Sequence, residues 1–351
     1  MAIFPLPGIR ISGIASAVPR GAYHNRDYEY LTEKEKELFI KTVGVEKRRV
    51  APKGMTTSDL CETAAIRLMH DLGWDPADIE ILVFVSQSRD YIIPATAGIL
   101  QEKLGLPKSC MAYDISLGCS GYVYGLSTIG SQMLTAGIKK GLLMVGDVST
   151  QTTGPRDKST FPLFGDAGTV TALEPDPQAA PMHFNLQTDG KGYKAIIIPD
   201  GGIRNLVTPE SFTEEKITEG IERNRLQIAL DGMEVFQFSL REVQPNIERM
   251  LQEAGKNLEE VDYFVLHQAN RLMNESIRKK LRIPPEKCPY SMEEYGNTSS
   301  ASIPLTISHA LRDLMQEGKT RLVLSGFGVG LSWGSVYLET EKIVCPEIIE
   351  I

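Results

Sequence analysis

Short apolar runs alternate along the chain with segments whose apolar residues recur at helical spacing. Residues 81–86 and 141–146 are largely apolar runs, which are typical of strands buried on both faces of a sheet. Over residues 59–72, leucine and alanine recur every four positions, and this spacing predicts a helix with one buried face. Glu62 stands three residues after Asp59, a spacing typical of a capping box. The alternation of strands and helices predicts an α/β fold.

The longest segment without charge covers residues 115–138. It has the length of a membrane span, yet glycine, serine, threonine and glutamine occur throughout it. This composition favours a helix packed in the protein core over a membrane span. A second long uncharged segment follows Asn297, where we predict another buried helix.

The order of elements repeats in the second part of the chain. A helix that ends at Gly255 corresponds to one that ends at Gly73, and a strand that ends at Gly326 corresponds to one that ends at Gly146. Corresponding positions lie about 180 residues apart. The offset predicts a duplication, with an N-terminal half at residues 1–175 and a C-terminal half at residues 176–351, related by a pseudo-twofold axis.

Cys119 lies where the first uncharged segment begins, next to Gly118. A thiolate at the start of a buried helix is favoured by the helix dipole and the unpaired amides, so Cys119 is a candidate nucleophile. A packed core thiol is the commoner alternative for a single buried cysteine. The repeat gives Asn297 the position that corresponds to Cys119, and His267 ends a strand at an edge where α/β sheets bind ligands. We therefore predict that Cys119, His267 and Asn297 converge on one site.

Composition and charge limit the class of protein and the cellular compartment to which this site belongs. The chain has 351 residues and a net charge of -8, which excludes a general nucleic-acid surface. Its five cysteines lack a CxxC spacing, which indicates reduced thiols rather than a disulfide framework or a zinc site. The first residues lack the pattern of a signal peptide. We expect a cytoplasmic protein without a membrane span, a metal or a cofactor.

Six short motifs resemble, in the same order, those of the β-ketoacyl-[acyl-carrier-protein] synthase III family of the thiolase superfamily. They are Asp114…Gly-Cys119-Ser-Gly, Phe164-Gly-Asp-Ala-Gly168, Asp231-Gly-Met-Glu-Val-Phe236, His267-Gln-Ala-Asn270, Gly296-Asn297-Thr-Ser-Ser-Ala-Ser302 and Gly326-Phe-Gly-Val-Gly330…Trp333-Gly334. The resemblance covers nearly the whole chain. It implies the five-layered αβαβα thiolase fold, built from two duplicated halves, and a homodimer.

The resemblance also implies a condensing enzyme, an acyltransferase of fatty acid or specialised acyl-chain biosynthesis. An acyl thioester acylates Cys119, and malonyl-acyl carrier protein then loses carbon dioxide and attacks the acyl group in a decarboxylative Claisen condensation. By family position, His267 and Asn297 hold the enolate that forms. The backbone amides of Cys119 and Val329 form the oxyanion hole, and Asn270 supports the site through hydrogen bonds.

The resemblance suggests two further groups of functional residues. The helix after His267 is expected to dock the acidic carrier protein through its basic side chains, Arg271, Arg278, Lys279 and Lys280. A solvated helix face is the alternative for this cluster. Ile93 and Phe236 are expected to line the acyl pocket, and Ile93 belongs to a segment by which the dimer partner reaches into that pocket.

The chain departs from the family in the region that binds coenzyme A. Leu38, Thr42 and Lys158 stand where the family typically has a tryptophan and two arginines around the adenine. Adenine binding is weaker without an aromatic face and planar guanidinium groups, so the acyl primer comes from either coenzyme A or a carrier protein. Val329 is a second departure. It replaces the middle glycine of a turn, and it would be strained if φ were positive there.

Other functions stay open at this level. A relative of this family can retain all three site residues and pass the acyl group from Cys119 to a hydroxyl or an amine, without decarboxylation. A non-catalytic partner subunit is a further alternative, although such subunits commonly lose the nucleophile. Papain-like proteases also combine Cys, His and Asn, but they lack duplicated α/β halves.

Overall fold

Two mixed β-sheets, with helices between and outside them, make up the molecule. The computed structural model describes residues 2–351. The strands, in chain order, are β1 (Ala2–Leu6), β2 (Ile9–Val18), β3 (Ala22–His24), β4 (Lys47–Arg49), β5 (Ile81–Val85), β6 (Met111–Ile115), β7 (Gly141–Asp147), β8 (Ala167–Pro175), β9 (Met182–Thr188), β10 (Ile196–Ile197), β11 (Glu215–Thr218), β12 (Ile221–Arg223), β13 (Ala229–Leu230), β14 (Tyr263–Leu266), β15 (Lys319–Gly328), β16 (Ser332–Glu341) and β17 (Ile349–Glu350). The α-helices are α1 (Glu33–Val43), α2 (Thr57–Leu72), α3 (Thr96–Lys103), α4 (Gly121–Ala136), α5 (Gly232–Glu253), α6 (Arg271–Lys280), α7 (Met292–Tyr295), α8 (Ser302–Thr306) and α9 (Arg312–Glu317).

The pairing of the strands supports the duplication. The first sheet has the order β17-β2-β8-β7-β5-β6, and the second has the order β1-β9-β16-β15-β14. In the first, β5 runs parallel to β7, which is followed by the antiparallel strands β8 and β2. In the second, β14 runs parallel to β15, which is followed by the antiparallel strands β16 and β9.

The chain termini exchange strands between the two sheets. The N-terminal strand β1 pairs with β9 in the second sheet, and the C-terminal strand β17 pairs with β2 in the first. This exchange joins the two halves by backbone hydrogen bonds at both ends of the chain. The predicted boundary at residue 175, between an N-terminal and a C-terminal half, stays a prediction.

Five layers follow from the packing of the helices, in the predicted order αβαβα. Helices α2 and α3 cover the outer face of the first sheet, and α5 covers the outer face of the second with α6 beside it. Helices α4 and α8 lie between the sheets and contact strands of both. Tyr122, Val123, Leu126 and Ile129 of α4 are fully buried there, which explains why this segment lacks charge. None of the helices within residues 2–351 combines the length and the apolar character that a membrane span requires.

One predicted detail of the helices is wrong. The capping box of α2 is formed by Thr56 and Asp59, one turn earlier than predicted, because Thr56 provides the side-chain oxygen that accepts the Asp59 amide. Glu62 instead forms an ion pair with Lys103. The second uncharged segment forms the predicted buried helix. The helix contains a π-helical turn at Ile307–Leu311, between α8 and α9.

Candidate active site

Cys119 lies in the turn between β6 and α4, and its side chain is 8% exposed. The end of β15 passes directly over the thiol. A Cβ atom added to Gly328 would lie 2.7 Å from the Cys119 Sγ, and Gly328 has a φ of 155°. A glycine is therefore required at this position on two grounds, space and backbone conformation. Val329 has no positive φ, so the strain considered from the sequence is absent, and the flanking Gly328 and Gly330 adopt the unusual values.

The electrostatic surroundings of Cys119 favour the protonated thiol over the thiolate. Burial and, to a smaller degree, the charge of Asp147 raise its pKa to about 11. Hydrogen bonds from the Val329 amide, the Cys119 amide and the Ser299 side chain act in the opposite direction and lower this pKa. The sequence-based expectation of a favoured thiolate is therefore wrong for the resting site, because desolvation outweighs the donors around the sulfur.

His267 directly follows β14 and is 1% exposed. Burial lowers its pKa to about 3, so the imidazole is neutral over the physiological range. Ser302 Oγ lies 2.7 Å from Nδ1 and accepts the Gln268 amide at 3.4 Å. Its own proton can therefore be donated to Nδ1, and this arrangement places the imidazole proton on Nε2.

Hydrogen bonds of both its backbone and its carboxamide hold Asn297 in place. It forms an isolated parallel bridge with Phe164, in which its amide donates to the Leu163 carbonyl at 2.9 Å. The carboxamide donates from Nδ2 to the Ala269 carbonyl at 3.4 Å and accepts the Ser299 amide on Oδ1 at 2.9 Å. Asn297 therefore caps the turn that leads into α8 rather than the first residue of the helix.

One cavity brings most of the predicted site residues together. Cys119, His267, Asn297, Asn270 and Val329 all line it. Asn270 also caps α6, where its Oδ1 accepts the Met273 amide at 2.8 Å. The sequence motifs thus meet in space although they are far apart along the chain.

The two predicted acyl-pocket residues are absent from this cavity. Val235 lines it, whereas Phe236 packs against the apolar cluster under α5, since adjacent residues of a helix point in directions about 100° apart. Phe236 therefore does not line this cavity within the single chain, and its role in the acyl pocket stays a prediction. Ile93 is 83% exposed, next to the exposed Tyr91 and Ile92. Its predicted role in the pocket of a second copy stays a prediction.

The predicted basic cluster is largely engaged within the chain. Arg278 is 9% exposed and is held by Glu275 and the Ile283 carbonyl, so the prediction that it docks a partner is wrong. Arg271 forms an ion pair with Glu293 at 2.9 Å, and the Lys280 ammonium donates to the Leu240 carbonyl. Lys279 is exposed at the surface of α6.

The residues that depart from the family lie on the outside of the same region. Leu38 is 59% exposed on α1, and the Thr42 hydroxyl donates to the Leu38 carbonyl. The Lys158 ammonium lies 3.4 Å from a Glu35 carboxylate oxygen. Gly220, in the turn between β11 and β12, packs against the aliphatic part of the Lys158 side chain. The charge at Lys158 is thereby partly neutralised.

Sequence reasoning missed the polar residues that hold the site together. Asp147, at the end of β7, is 2% exposed and accepts the Gln87 amide at 2.8 Å and the Ser300 hydroxyl at 3.0 Å. Ser299 lines the cavity with a φ of 51°, and Ser302 contacts His267. The only sequence signal for these residues is the run of serines in the motif of residues 296–302.

Comparisons with known proteins agree with one another. Models of 3-oxoacyl-[acyl-carrier-protein (ACP)] synthase III and of its C-terminal part match residues 113–190 and 251–340. The chain is 33% identical to a β-ketoacyl-[acyl-carrier-protein] synthase III from Rhodopirellula baltica, over 94% of this chain and 98% of the relative. It is 31% identical to the protein of the same name from Clostridioides difficile, over 93% of this chain and 96% of the relative. The crystal structure of a 3-oxoacyl-(acyl-carrier protein) synthase from Burkholderia xenovorans is similar with a TM-score of 0.94 and 38% identity, and 99% of both chains are covered.

Proposed function

Because the chain belongs to the 3-oxoacyl-[acyl-carrier-protein] synthase III family, we propose that it condenses an acyl group held on Cys119 with malonyl-acyl carrier protein. The observation that carries this proposal is the cavity that Cys119, His267 and Asn297 line together. A nucleophile, a neutral imidazole and a carboxamide are the three groups that this reaction needs, and no carboxylate is among the residues lining this cavity.

The first step transfers the acyl group to Cys119. The sulfur attacks the thioester carbonyl, the bond from the carbonyl carbon to the donor sulfur breaks, and the thiol proton passes through solvent to the departing donor thiolate. The amides of Cys119 and Val329 point toward the sulfur side of the turn and hold the oxyanion of the tetrahedral intermediate. The low pKa of His267 keeps the imidazole neutral throughout this step.

The second step forms the carbon–carbon bond. The carboxylate of the malonyl group leaves as carbon dioxide, and the electron pair of the broken bond passes to an enolate. Nε2–H of His267 and Nδ2–H of Asn297 donate to the enolate oxygen without adding negative charge. The enolate carbon attacks the acyl carbonyl, the same two amides hold the new oxyanion, and Cys119 leaves as a thiolate that takes up a proton from water.

We propose a carrier protein rather than coenzyme A as the preferred acyl donor. Leu38 offers no aromatic face, and Glu35 neutralises part of the charge of Lys158. Coenzyme A carries several phosphate charges, which such surroundings bind weakly. The protein is further proposed to act in the cytoplasm as a homodimer.

Intact-protein mass spectrometry tests both steps. Wild-type protein is incubated with acyl-carrier protein or acyl-coenzyme A, and malonyl-carrier protein is then added. We expect an acyl adduct that is lost with the release of carbon dioxide and the appearance of a 3-oxoacyl thioester. The adduct must be absent in Cys119→Ala and present in Cys110→Ala, the control for a partly exposed cysteine outside the site.

Three results would contradict parts of this proposal. An adduct on the Cys119→Ala variant would remove the nucleophile role. Transfer of the acyl group to an alcohol or amine, with no carbon dioxide release, would favour an ester- or amide-forming relative. Faster loading from acyl-coenzyme A than from acyl-carrier protein would overturn the donor preference.

A further inference from the structure

Arg48, in strand β4, is a buried cation with few polar partners. It is 1% exposed, and among the described residues its Nε and Nη2 have no hydrogen-bond partner. Its Nη1 donates to the Phe164 carbonyl at 3.3 Å. The guanidinium lies over the rings of Tyr23 and Phe161, at 4.7 and 4.4 Å from their centroids.

Stability alone does not explain this residue. Removing a guanidinium from water carries a large cost in free energy, and contacts with two aromatic faces offset it only in part. Burial lowers the Arg48 pKa to about 10, although the charge of the buried Asp166 acts in the opposite direction. An apolar side chain of similar length would fill the space between the rings without that cost.

The surroundings of Arg48 connect it to Asn297. The Phe164 carbonyl that it binds lies in the segment that forms the bridge to Asn297: the Asn297 amide donates to the Leu163 carbonyl at 2.9 Å, and the Gly165 amide donates to the Asn297 carbonyl at 3.0 Å. The Arg48 stem packs against both strands of this bridge. A Cβ atom added to Gly165 or Gly296 would lie 3.4 or 3.1 Å from the Arg48 Cβ.

We propose that Arg48 is a positioning residue for Asn297: it holds the Phe164 carbonyl and the back of the bridge, and thereby keeps the Asn297 carboxamide aimed into the cavity. This inference rests on the proposed function, in which Asn297 acts only in the decarboxylation step. Arg48 touches neither substrate nor Cys119, so its loss affects the second step and spares the first.

The test separates the two steps in the full-length protein. Arg48→Met removes the donor and the charge but keeps an apolar stem, and Arg48→Lys keeps the charge. Arg49→Met is the matched control, since it removes the neighbouring cation of the same strand, which binds Glu350 instead. We expect Arg48→Met to load the acyl group on Cys119 within about threefold of wild type, and to lower the kcat of condensation about 10- to 100-fold.

Three further readouts distinguish positioning from a merely structural role. The Tm of Arg48→Met is expected to be unchanged or higher, and Arg48→Lys is expected to restore part of the condensation rate. Adding Arg48→Met to Asn297→Ala is expected to cause no further loss of the condensation rate, because Arg48 acts through Asn297. A parallel fall of acyl loading, condensation and Tm would overturn the proposal, and so would full additivity of the two substitutions.

A crystal structure of Arg48→Met keeps this inference separate from the proposed function. A displaced Asn297 carboxamide, without its contact to the Ala269 carbonyl, supports the positioning role even if the wild-type protein releases no carbon dioxide. An unmoved Asn297 overturns the role even if the wild-type protein condenses as proposed. The absence of condensation by wild type would count only against the proposed function.

Discussion

Cys119 sits in surroundings that keep its sulfur protonated at neutral pH. Desolvation and the buried Asp147 charge raise the thiol pKa, and the donors of Val329 and Ser299 compensate only in part. A protonated nucleophile is protected from adventitious alkylation and oxidation, which require the thiolate. It becomes reactive when a substrate carbonyl is in place and its proton can pass to the departing donor thiolate.

The pH dependence of alkylation follows from this pKa. In a Cys110→Ala background, we expect the rate of Cys119 modification by iodoacetamide to keep rising as the pH rises from 7 toward about 11, since only the thiolate reacts and the fraction of thiolate grows until the pH passes the pKa. Mass spectrometry at a series of pH values gives this profile. Asp147→Asn is expected to move the profile to lower pH, because the negative charge is removed. A plateau below pH 7 would indicate a thiolate–imidazolium pair at rest and would contradict the structure.

At the scale of elements, the end of strand β15 places Gly328 against the Cys119 thiol. Gly328→Ala places a methyl group 2.7 Å from the Cys119 Sγ and forces an alanine into a φ of 155°. We expect acyl loading to fall at least about 100-fold, because misplacement of a reacting group by about 1 Å costs that much. Acyl loading is measured by intact mass.

Gly318→Ala, just before the same strand, is the matched control. Nothing lies within 4 Å of a Cβ at Gly318, and its φ of -159° suits any residue. It is expected to load at the wild-type rate. Equal activity of the two variants would show that the Gly328 contact has no functional consequence.

The start of α2 provides a test of stability. Thr56→Ala is expected to lower the free energy of unfolding by about 1 kcal/mol, since the Asp59 amide loses its side-chain acceptor. Glu62→Gln removes only a partly exposed ion pair with Lys103 and is expected to cost about 0.2–1 kcal/mol. Urea unfolding of both variants measures the difference. A larger loss for Glu62→Gln would favour the capping box predicted from the sequence.

Elements defined by local pattern could be predicted, whereas those that depend on distant partners could not. The continuous apolar runs gave β5 and β7 correctly, and the offset between the halves led to β14 and β15, because a strand buried on both faces needs such a run. The shared motifs predicted which residues meet at the cavity, and the relatives confirm the family and the fold. The exchange of β1 and β17 between the sheets depends on pairing across nearly the whole chain, for which short edge strands carry no local signal.

The same limit applies to individual side chains of the site. Arg278 and Arg271 have the same charge in the sequence, yet one is buried by Glu275 and the other remains near the surface. Val235 and Phe236 are both apolar, and only the rotation of α5 decides which one faces the cavity. Arg48 carries no sequence signal for burial, since burial arises where Tyr23 and Phe161 fold around it.

At the scale of the whole molecule, an exposed apolar segment suggests how two copies meet. Tyr91, Ile92 and Ile93 are 61%, 71% and 83% exposed, and Gln87, earlier in the same loop, lines the cavity. Consecutive apolar residues exposed to this degree are typical of an interaction surface. The proposed homodimer would bury them, and Ile93 of each copy would then close the acyl pocket of the other.

A mixed dimer tests whether Ile93 acts on the pocket of the partner. We expect the Ile93→Ala homodimer to accept longer acyl groups than wild type, because a smaller side chain leaves more room. In a dimer of one Cys119→Ala chain that retains Ile93 and one Ile93→Ala chain that retains Cys119, the single active site receives an intact Ile93 from its partner. It should therefore keep the wild-type chain-length preference, measured by acyl loading from a series of acyl-carrier proteins. Ile203→Ala, at an isoleucine that is 89% exposed in another segment, is the control and should leave the preference unchanged in either arrangement. A preference that follows the Ile93→Ala substitution within the active chain itself would place the residue in its own pocket and contradict the exchange.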